Sequence, residues 1–383
     1  MKKSSALLFV PIMLAFFTMG FVDLVGIAAN YVKADFKLSD TLANLLPSMV
    51  FLWFLVFSVP TGMLMNKIGR KNTVLLSLVV TLPALIIPLI SYSFVSMLIS
   101  FTFLGIGNTL MQVSLNPLIA GLVSKEKMAS TLTFGQFVKA IASFIAPILA
   151  AWAVIRFADW RMILFPLFLT ILVLVIVLLF ITKVDEPKSE NKSTSFRASF
   201  SLLGDVTVLF LFLGIMAHVG LDVGLNTTAP KLLIERLHIP LADAGYATSF
   251  YFIFRTLGCL LGSAILAKFS GRSVFLVSVL MILTGILTMF TADKTIIYAG
   301  IALFGLGNAN IFSVMFSQAL VCQPKYNNEV SGLMIMGVFG GAVFPLIMGV
   351  MSDTMGGQVG AVIVLLALVT YLIVGVFPKI KQA

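Results

Sequence analysis

Twelve apolar runs, each long enough to cross a lipid bilayer, follow one another along this chain with little between them. They lie at about 7–32, 43–66, 72–91, 93–123, 129–155, 161–182, 205–231, 241–268, 272–291, 295–321, 327–352 and 357–378. A span needs roughly 20 such residues, and in lipid only helices and closed barrels satisfy their own backbone polar groups. The expected fold is therefore an all-α integral membrane protein with twelve transmembrane helices. Only 10% of the 383 residues are charged, against about 25% in soluble domains, so no soluble catalytic domain fits beside the spans. The N-terminal MKKSS followed by apolar residues imitates a signal peptide. The run continues to Val32 without a small-residue cleavage pattern, and it reads as an uncleaved first span.

The one long polar stretch, KVDEPKSENKSTSFRASF at 183–200, is too rich in Pro, Ser, Lys and Glu to bury a core and reads as a flexible linker. It separates an N-terminal six-helix bundle at 1–182 from a C-terminal one at 205–383, with a cytoplasmic linker at 183–204. The halves repeat one another. GIGN at 105–108 recurs as GLGN at 305–308, and Gly62 recurs as Gly262, both at an offset of 200 residues. AIASFIAPIL (140–149) is echoed by GVFGGAVFPLIMG (337–349). Parallel repeats of six helices, with a substrate site near the midplane, characterise one large class of secondary transporter. Gly337, Gly340, Gly341 and Ala342 are small enough to let helices approach in lipid, so that cluster reads as packing, as a binding loop, or as both.

Basic residues set the orientation, because they stay on the cytoplasmic side. With the N-terminus cytoplasmic, that side holds 16 of the 25 Lys and Arg residues and the opposite loops hold 7. Both termini are expected to be cytoplasmic, in a bacterial-type inner membrane. The net charge of +10 is then mainly a topology signal with contact to anionic lipid. A basic soluble face for nucleic acid is absent. Cys259 and Cys322 fall in different spans and are expected to be free thiols.

Polar residues inside the spans are the functional candidates. An Asp, Lys or Arg at a helix centre costs about 2.5–3.5 kcal/mol and persists where it is paired or lines an aqueous path. Asp23, Lys139, Asp222 and Arg255 are such residues, and His218, with Asp222 one turn away, reads as an imidazole suited to a proton relay or as one simply hydrogen-bonded in the bundle. Helical phase groups the rest: Asp23 with Asn30; Asn108, Gln112 and Asn116 as a stripe; His218, Asp222 and Asn226 as another; Asn310 with Ser313 and Ser317; Gln136 with Lys139 and, a turn on, Ser143. Amides donate and accept at once, which suits the hydroxyls of a polar solute. Trp53, Tyr251 and Phe254 are the rings that can stack on the apolar face of such a solute, although most of the 34 phenylalanines and their aromatic neighbours must be core or lipid-facing. Asp222 and Arg255 differ in depth by about 8 Å at 1.5 Å per residue. They read as a fixed pair, as a pair that opens during transport, or as substrate contacts. Asp23 and Lys139 match less well in depth, so water or substrate is expected between them.

The segment GMLMNKIGRK (62–71) resembles the signature loop between the second and third helices of the major facilitator superfamily, with Asn66 where an acid is usual. More narrowly, NTLMQVSLNP (108–117), GLGNANIFSVMFSQAL (305–320) and VSGLMIMGVFGGAVFPLIMGVMSD (330–353) look like the fucose/glucose/galactose:proton symporter family. The resemblance spans nearly the whole chain and implies proton-coupled sugar transport. The family carries an Asn-Asp pair on the first helix and an acid or glutamine on the fourth, shortly before Asn-Pro. Here Gln112 stands at the fourth-helix position. The first helix has Gly26-Ile27 in place of the pair, with Asp23 a turn earlier to take the acidic role. The loop with Asn66, Lys67, Arg70 and Lys71 is expected to govern the cytoplasmic gate, or else to be a topology determinant.

No phosphate-binding loop, metal cluster or nucleophile-base pair is present in the sequence, so an enzyme is not expected and no cofactor is implied. A sensor would need an output domain, and a drug exporter should show a more apolar, aromatic cavity. The expectation is a monomeric alternating-access transporter of a monosaccharide, a hexose or deoxyhexose, with protons as coupling ion. Substrate is expected between Asn108, Gln112 and Asn116 on one side and Asp222, Asn226 and Asn310 on the other. Protonation of Asp23, or of the His218-Asp222 pair, is expected to bias the rocking. The alternative is a facilitator or exporter of another small organic solute.

Overall fold

The computed structural model describes residues 3–23, 25, 28, 31, 32, 35–38, 42, 45–183, 196–239 and 246–381. Within them every apolar run is helical and no strand occurs. The first span is Lys3–Met19, continued by a 3-10 turn at Gly20–Asp23. The second to sixth are Leu45–Ile68, Arg70–Ile90, Phe94–Ala120, Lys125–Phe157 and Arg161–Ile181. The seventh to tenth are Val206–Leu237, Tyr246–Leu266, Gly271–Thr288 and Lys294–Cys322. The eleventh consists of Asn327–Met336 and Gly340–Met355 joined by a 3-10 turn at Gly337–Phe339, and the twelfth begins as Val359–Tyr371. Among the described residues eleven helices are long and apolar enough to cross a bilayer, and the apolar part of the first, Phe9–Asp23, is shorter. Of the polar linker, 184–195 lie outside the described residues, and Phe196–Ser201 forms a short helix.

The helices hold because lipid offers their backbones no alternative partner. Prolines such as Pro60, Pro117 and Pro230 sit inside them, as membrane helices tolerate. Their outward faces are apolar: Phe180 is 75%, Leu346 72% and Val374 70% exposed, a surface suited to lipid.

Contacts divide the chain into two compact units, one of 1–122, 138–199 and 325–336, the other of 123–137, 200–324 and 337–383. The fifth and eleventh spans each contribute to both. Inside each unit the sequence repeat becomes a packing repeat. A Cβ on Gly105 would lie 2.8 Å from the Val50 carbonyl of the second span, and one on Gly305 would lie 2.8 Å from the Tyr251 carbonyl of the eighth. A Cβ on Gly107 would lie 3.0 Å from the Ser77 carbonyl of the third span, and one on Gly307 would lie 2.5 Å from the Ser278 carbonyl of the ninth. The fourth and tenth spans are thus wedged into their units and are the most buried spans of the molecule. Gly337 and Gly340 pack on the backbones of Phe212 and Met216 in the seventh span, the close approach that small residues permit.

Cations close matching helix ends. Lys71 Nζ donates to the Thr182 carbonyl at 2.7 Å, at the end of the sixth span. Arg272 donates to the Ile380 carbonyl beyond the twelfth. Both place positive charge on the negative end of a helix dipole. At the other end of the first unit, Trp160 Nε1 donates to the Tyr92 hydroxyl at 3.2 Å, which donates to Asp35 at 2.5 Å. The Arg161 guanidinium lies 3.7 Å over the Tyr92 ring and pairs with Asp159 at 2.6 Å. Burial and the hydrogen bond to the Asp35 carboxylate push the Tyr92 hydroxyl above its ordinary pKa. Burial alone would raise Asp159, but the hydrogen bonds and charge of Arg161 hold it below the usual carboxylate value.

Candidate functional site

The second unit contains a continuous polar network. Asp222 is on the seventh span. Tyr251 and Arg255, four residues apart on the eighth, present one face to it. Arg255 pairs with Asp222 Oδ2 at 3.0 Å, and the Tyr251 hydroxyl donates to Asp222 Oδ1. Asn308 of the tenth span donates through Nδ2 to the Tyr251 oxygen at 2.8 Å. The same Asn308 lies beside His218, one turn before Asp222. His218 is 3% exposed, and its Nδ1 has no hydrogen-bond partner among the described residues. Tyr251 is buried to 1%, with its ring edge-on to Phe304, so its hydroxyl rather than its face is engaged. Asn226 donates to the Asp222 carbonyl at 2.8 Å. Asn310 is buried and its amide stands against Gly262, where a Cβ would overlap it.

The first unit presents a smaller group. Asp23 ends the 3-10 turn and accepts the hydroxyl of Ser143 on the fifth span. Lys139 is one turn before Ser143 and partly exposed. It forms no ion pair with Asp23, so Ser143 takes the position next to the carboxylate. The first and fifth spans touch here, since a Cβ on Gly20 would lie 2.5 Å from the Lys139 carbonyl. Gln136, a turn earlier and already in the part of the fifth span that belongs to the second unit, is half-buried.

The fourth-span stripe points into the first unit. Asn108 is 4% exposed, both amide atoms lack a partner among the described residues, and it lines a small cavity with Thr18, Val22, Thr81 and Met111. Asn116 is fully buried and donates to the Gln112 carbonyl at 2.9 Å. Gln112 is also buried. Trp53 packs on Phe57, with an unpartnered buried Nε1. Asn30 lies outside the described residues.

The loop between second and third spans forms a third group, within the first unit. Asn66 donates to Glu329, Asn328 donates to Asn66 Oδ1 at 2.7 Å, and Arg70 donates to Asn328 Oδ1 at 2.8 Å and to the Pro117 carbonyl at 3.2 Å. Ser331 donates to the Val113 carbonyl at 2.6 Å. Glu329 is 2% exposed. The carboxylate missing at position 66 is thus supplied by the eleventh span.

Asn308, Asn328 and Glu329 were not among the residues the sequence singled out. The repeat offers a signal for the first, because Asn308 is the counterpart of Asn108. Glu329 sits 263 residues from Asn66, and no local pattern joins them. Among the described residues no group of three or more His, Cys, Asp or Glu could hold a metal ion.

Comparison with known proteins adds the following. A sequence profile of the Major Facilitator Superfamily matches residues 12–378. The glucose/galactose transporter of Brucella abortus biovar 1 (strain 9-941) is 25% identical over 378 residues, covering 93% of this chain and 90% of that protein. FucP, a Major Facilitator Superfamily transporter solved in the outward conformation, superposes with a TM-score of 0.86 at 16% identity over 100% of both chains. A variant of the E. coli fucose:proton symporter FucP gives 0.83 at 15% identity, again over 100% of both.

Proposed function

Since this chain belongs to the Major Facilitator Superfamily, and is a multi-pass membrane transporter rather than an enzyme, we propose that it carries a monosaccharide together with protons by alternating access. The observation that carries the substrate class is the similarity to a glucose/galactose transporter along 93% of the chain. Proton coupling is supported by carboxylates that sit inside spans in hydrogen-bonding contact with hydroxyls, Asp23 on Ser143 and Asp222 on Tyr251. Such groups retain their position while gaining or losing a proton.

In this reading the halves at 1–182 and 205–383 move as two bundles in an inner membrane, with both termini cytoplasmic as the basic residues favour. Gln112, Gln136, Asn226 and Asn310 offer amides to the sugar, and Trp53 offers a ring. Asp222 and Arg255 hold the seventh and eighth spans in one arrangement until a proton reaches Asp222 or the neighbouring His218. The group of Asn66, Arg70, Asn328 and Glu329 joins the cytoplasmic ends of the second, third and eleventh spans and must part when that end opens.

The test is uptake by the purified protein in proteoliposomes of a panel of labelled hexoses, deoxyhexoses and hexuronates, with an inward proton gradient. Accumulation of one of them that disappears when an ionophore collapses the gradient is the expected result. Equilibration indifferent to the gradient overturns the coupling, and movement of none overturns the substrate class.

A further inference from the structure

We propose that the transported solute is a sugar acid whose carboxylate is held by Lys139, so that the proton on Asp23 and the negative charge of the sugar cross together. This rests on the monosaccharide reading above and names the chemical class within it.

Two cations lie deep in the described spans, and the structure treats them differently. Arg255 is answered by Asp222 at 3.0 Å. Lys139 is partly exposed, and its Nζ has no hydrogen bond or ion pair among the described residues. The nearby carboxylate of Asp23 is engaged by Ser143 instead. A lysine offers three donors and no acceptor, so it matches a sugar's hydroxyls less well than an amide, which does both. An uncompensated ammonium inside a span is costly and marks a path for charge. A carboxylate on the solute supplies the missing partner.

Asp23 and Lys139 are the ionisable side chains in the middle of the first unit's described spans, whereas Arg70, Lys71 and Glu329 lie at span ends. With Asp23 ionised, the empty pair sums to zero. A proton on Asp23 with a neutral hexose bound leaves one positive charge. A proton on Asp23 with a carboxylate on Lys139 restores zero. Empty and loaded forms then both reorient without dragging net charge through the membrane potential. Gly20 packs on the Lys139 backbone, and Asp23 accepts from Ser143, one turn beyond Lys139, so both groups belong to the same contact of the first and fifth spans without forming an ion pair.

The experiment compares labelled galacturonate with galactose, which share a ring and differ by the carboxylate at C6, in exchange by the full-length protein in proteoliposomes. The expected result is half-saturation at least tenfold lower for galacturonate, with no potential-dye response during proton-driven uptake. Lys139→Asn should erase that preference at least tenfold, and Lys139→Arg should retain it, with thermal melting confirming that each variant folds. Should Lys139→Asn fail to fold, the wild-type preference and the dye response decide. Equal loss of both substrates in a folded Lys139→Asn protein overturns the assignment. Galactose moving without galacturonate overturns this inference and leaves the monosaccharide reading standing, as does movement of another neutral sugar of the panel with neither of these two; movement of no sugar and no hexuronate of the panel overturns both.

Discussion

Replacing Asp222 by alanine is expected to reduce transport at least tenfold and to lower the thermal midpoint by several degrees. The substitution strips Arg255 of its carboxylate and the Tyr251 hydroxyl of its acceptor in one step. Breaking a fully buried ion pair from one side costs about 3–5 kcal/mol. The Asp222 and Arg255 side chains are 15% and 29% exposed, so solvent screening brings the expected stability loss to roughly 2 kcal/mol. Asp222→Asn keeps an oxygen for Tyr251 and should fold better than Asp222→Ala. Combining Asp222→Asn with Arg255→Gln, which removes both charges, should recover much of the stability in a double-mutant comparison. If the pair only clamps the seventh and eighth spans, the double variant also recovers transport. If the pair opens during the cycle, stability returns and transport does not.

Asp23→Asn should abolish gradient-driven accumulation, by more than tenfold, while exchange of solute across the membrane stays within about twofold of wild type. The asparagine still accepts the hydroxyl of Ser143, so the 3-10 turn and its contact with the fifth span survive. What it loses is the ability to bind and release a proton. Accumulation unchanged in Asp23→Asn would remove this residue from the coupling mechanism and make Asp222 the remaining carboxylate of the sort required.

The spans were legible in the sequence because lipid dictates them: a backbone without water must close its own hydrogen bonds, so apolar length alone announces a helix. The repeat was equally legible, and Gly105 and Gly305, an offset of 200 apart, make the same contact in their respective units. What the sequence concealed is set by tertiary contact. The 3-10 turn at Gly20–Asp23 lies where Gly20 packs on the Lys139 backbone, a contact that no periodicity reveals. The pairing of Asp222 with Arg255 was among the sequence readings, and it closes at 3.0 Å, the length of the arginine bridging the difference in depth that residue counting gives. Tyr251 read as a ring for stacking because a ring is what its residue type advertises. Its burial and its bond to Asp222 depend on the seventh span. The fourth-span stripe was read from phase alone, and Asn108 faces a cavity inside its own unit with Thr18 and Thr81, a direction that a period of four residues does not specify.

The central claim is that solute and proton move together, and the most direct measurement is of the proton itself. Proteoliposomes holding the wild-type protein are suspended in weakly buffered medium, and the unlabelled sugar or hexuronate found active in the uptake panel is added. The account predicts that the external medium becomes alkaline in step with solute uptake, and that Asp23→Asn abolishes the pH change. Solute uptake at the same rate with no change in external pH would contradict it.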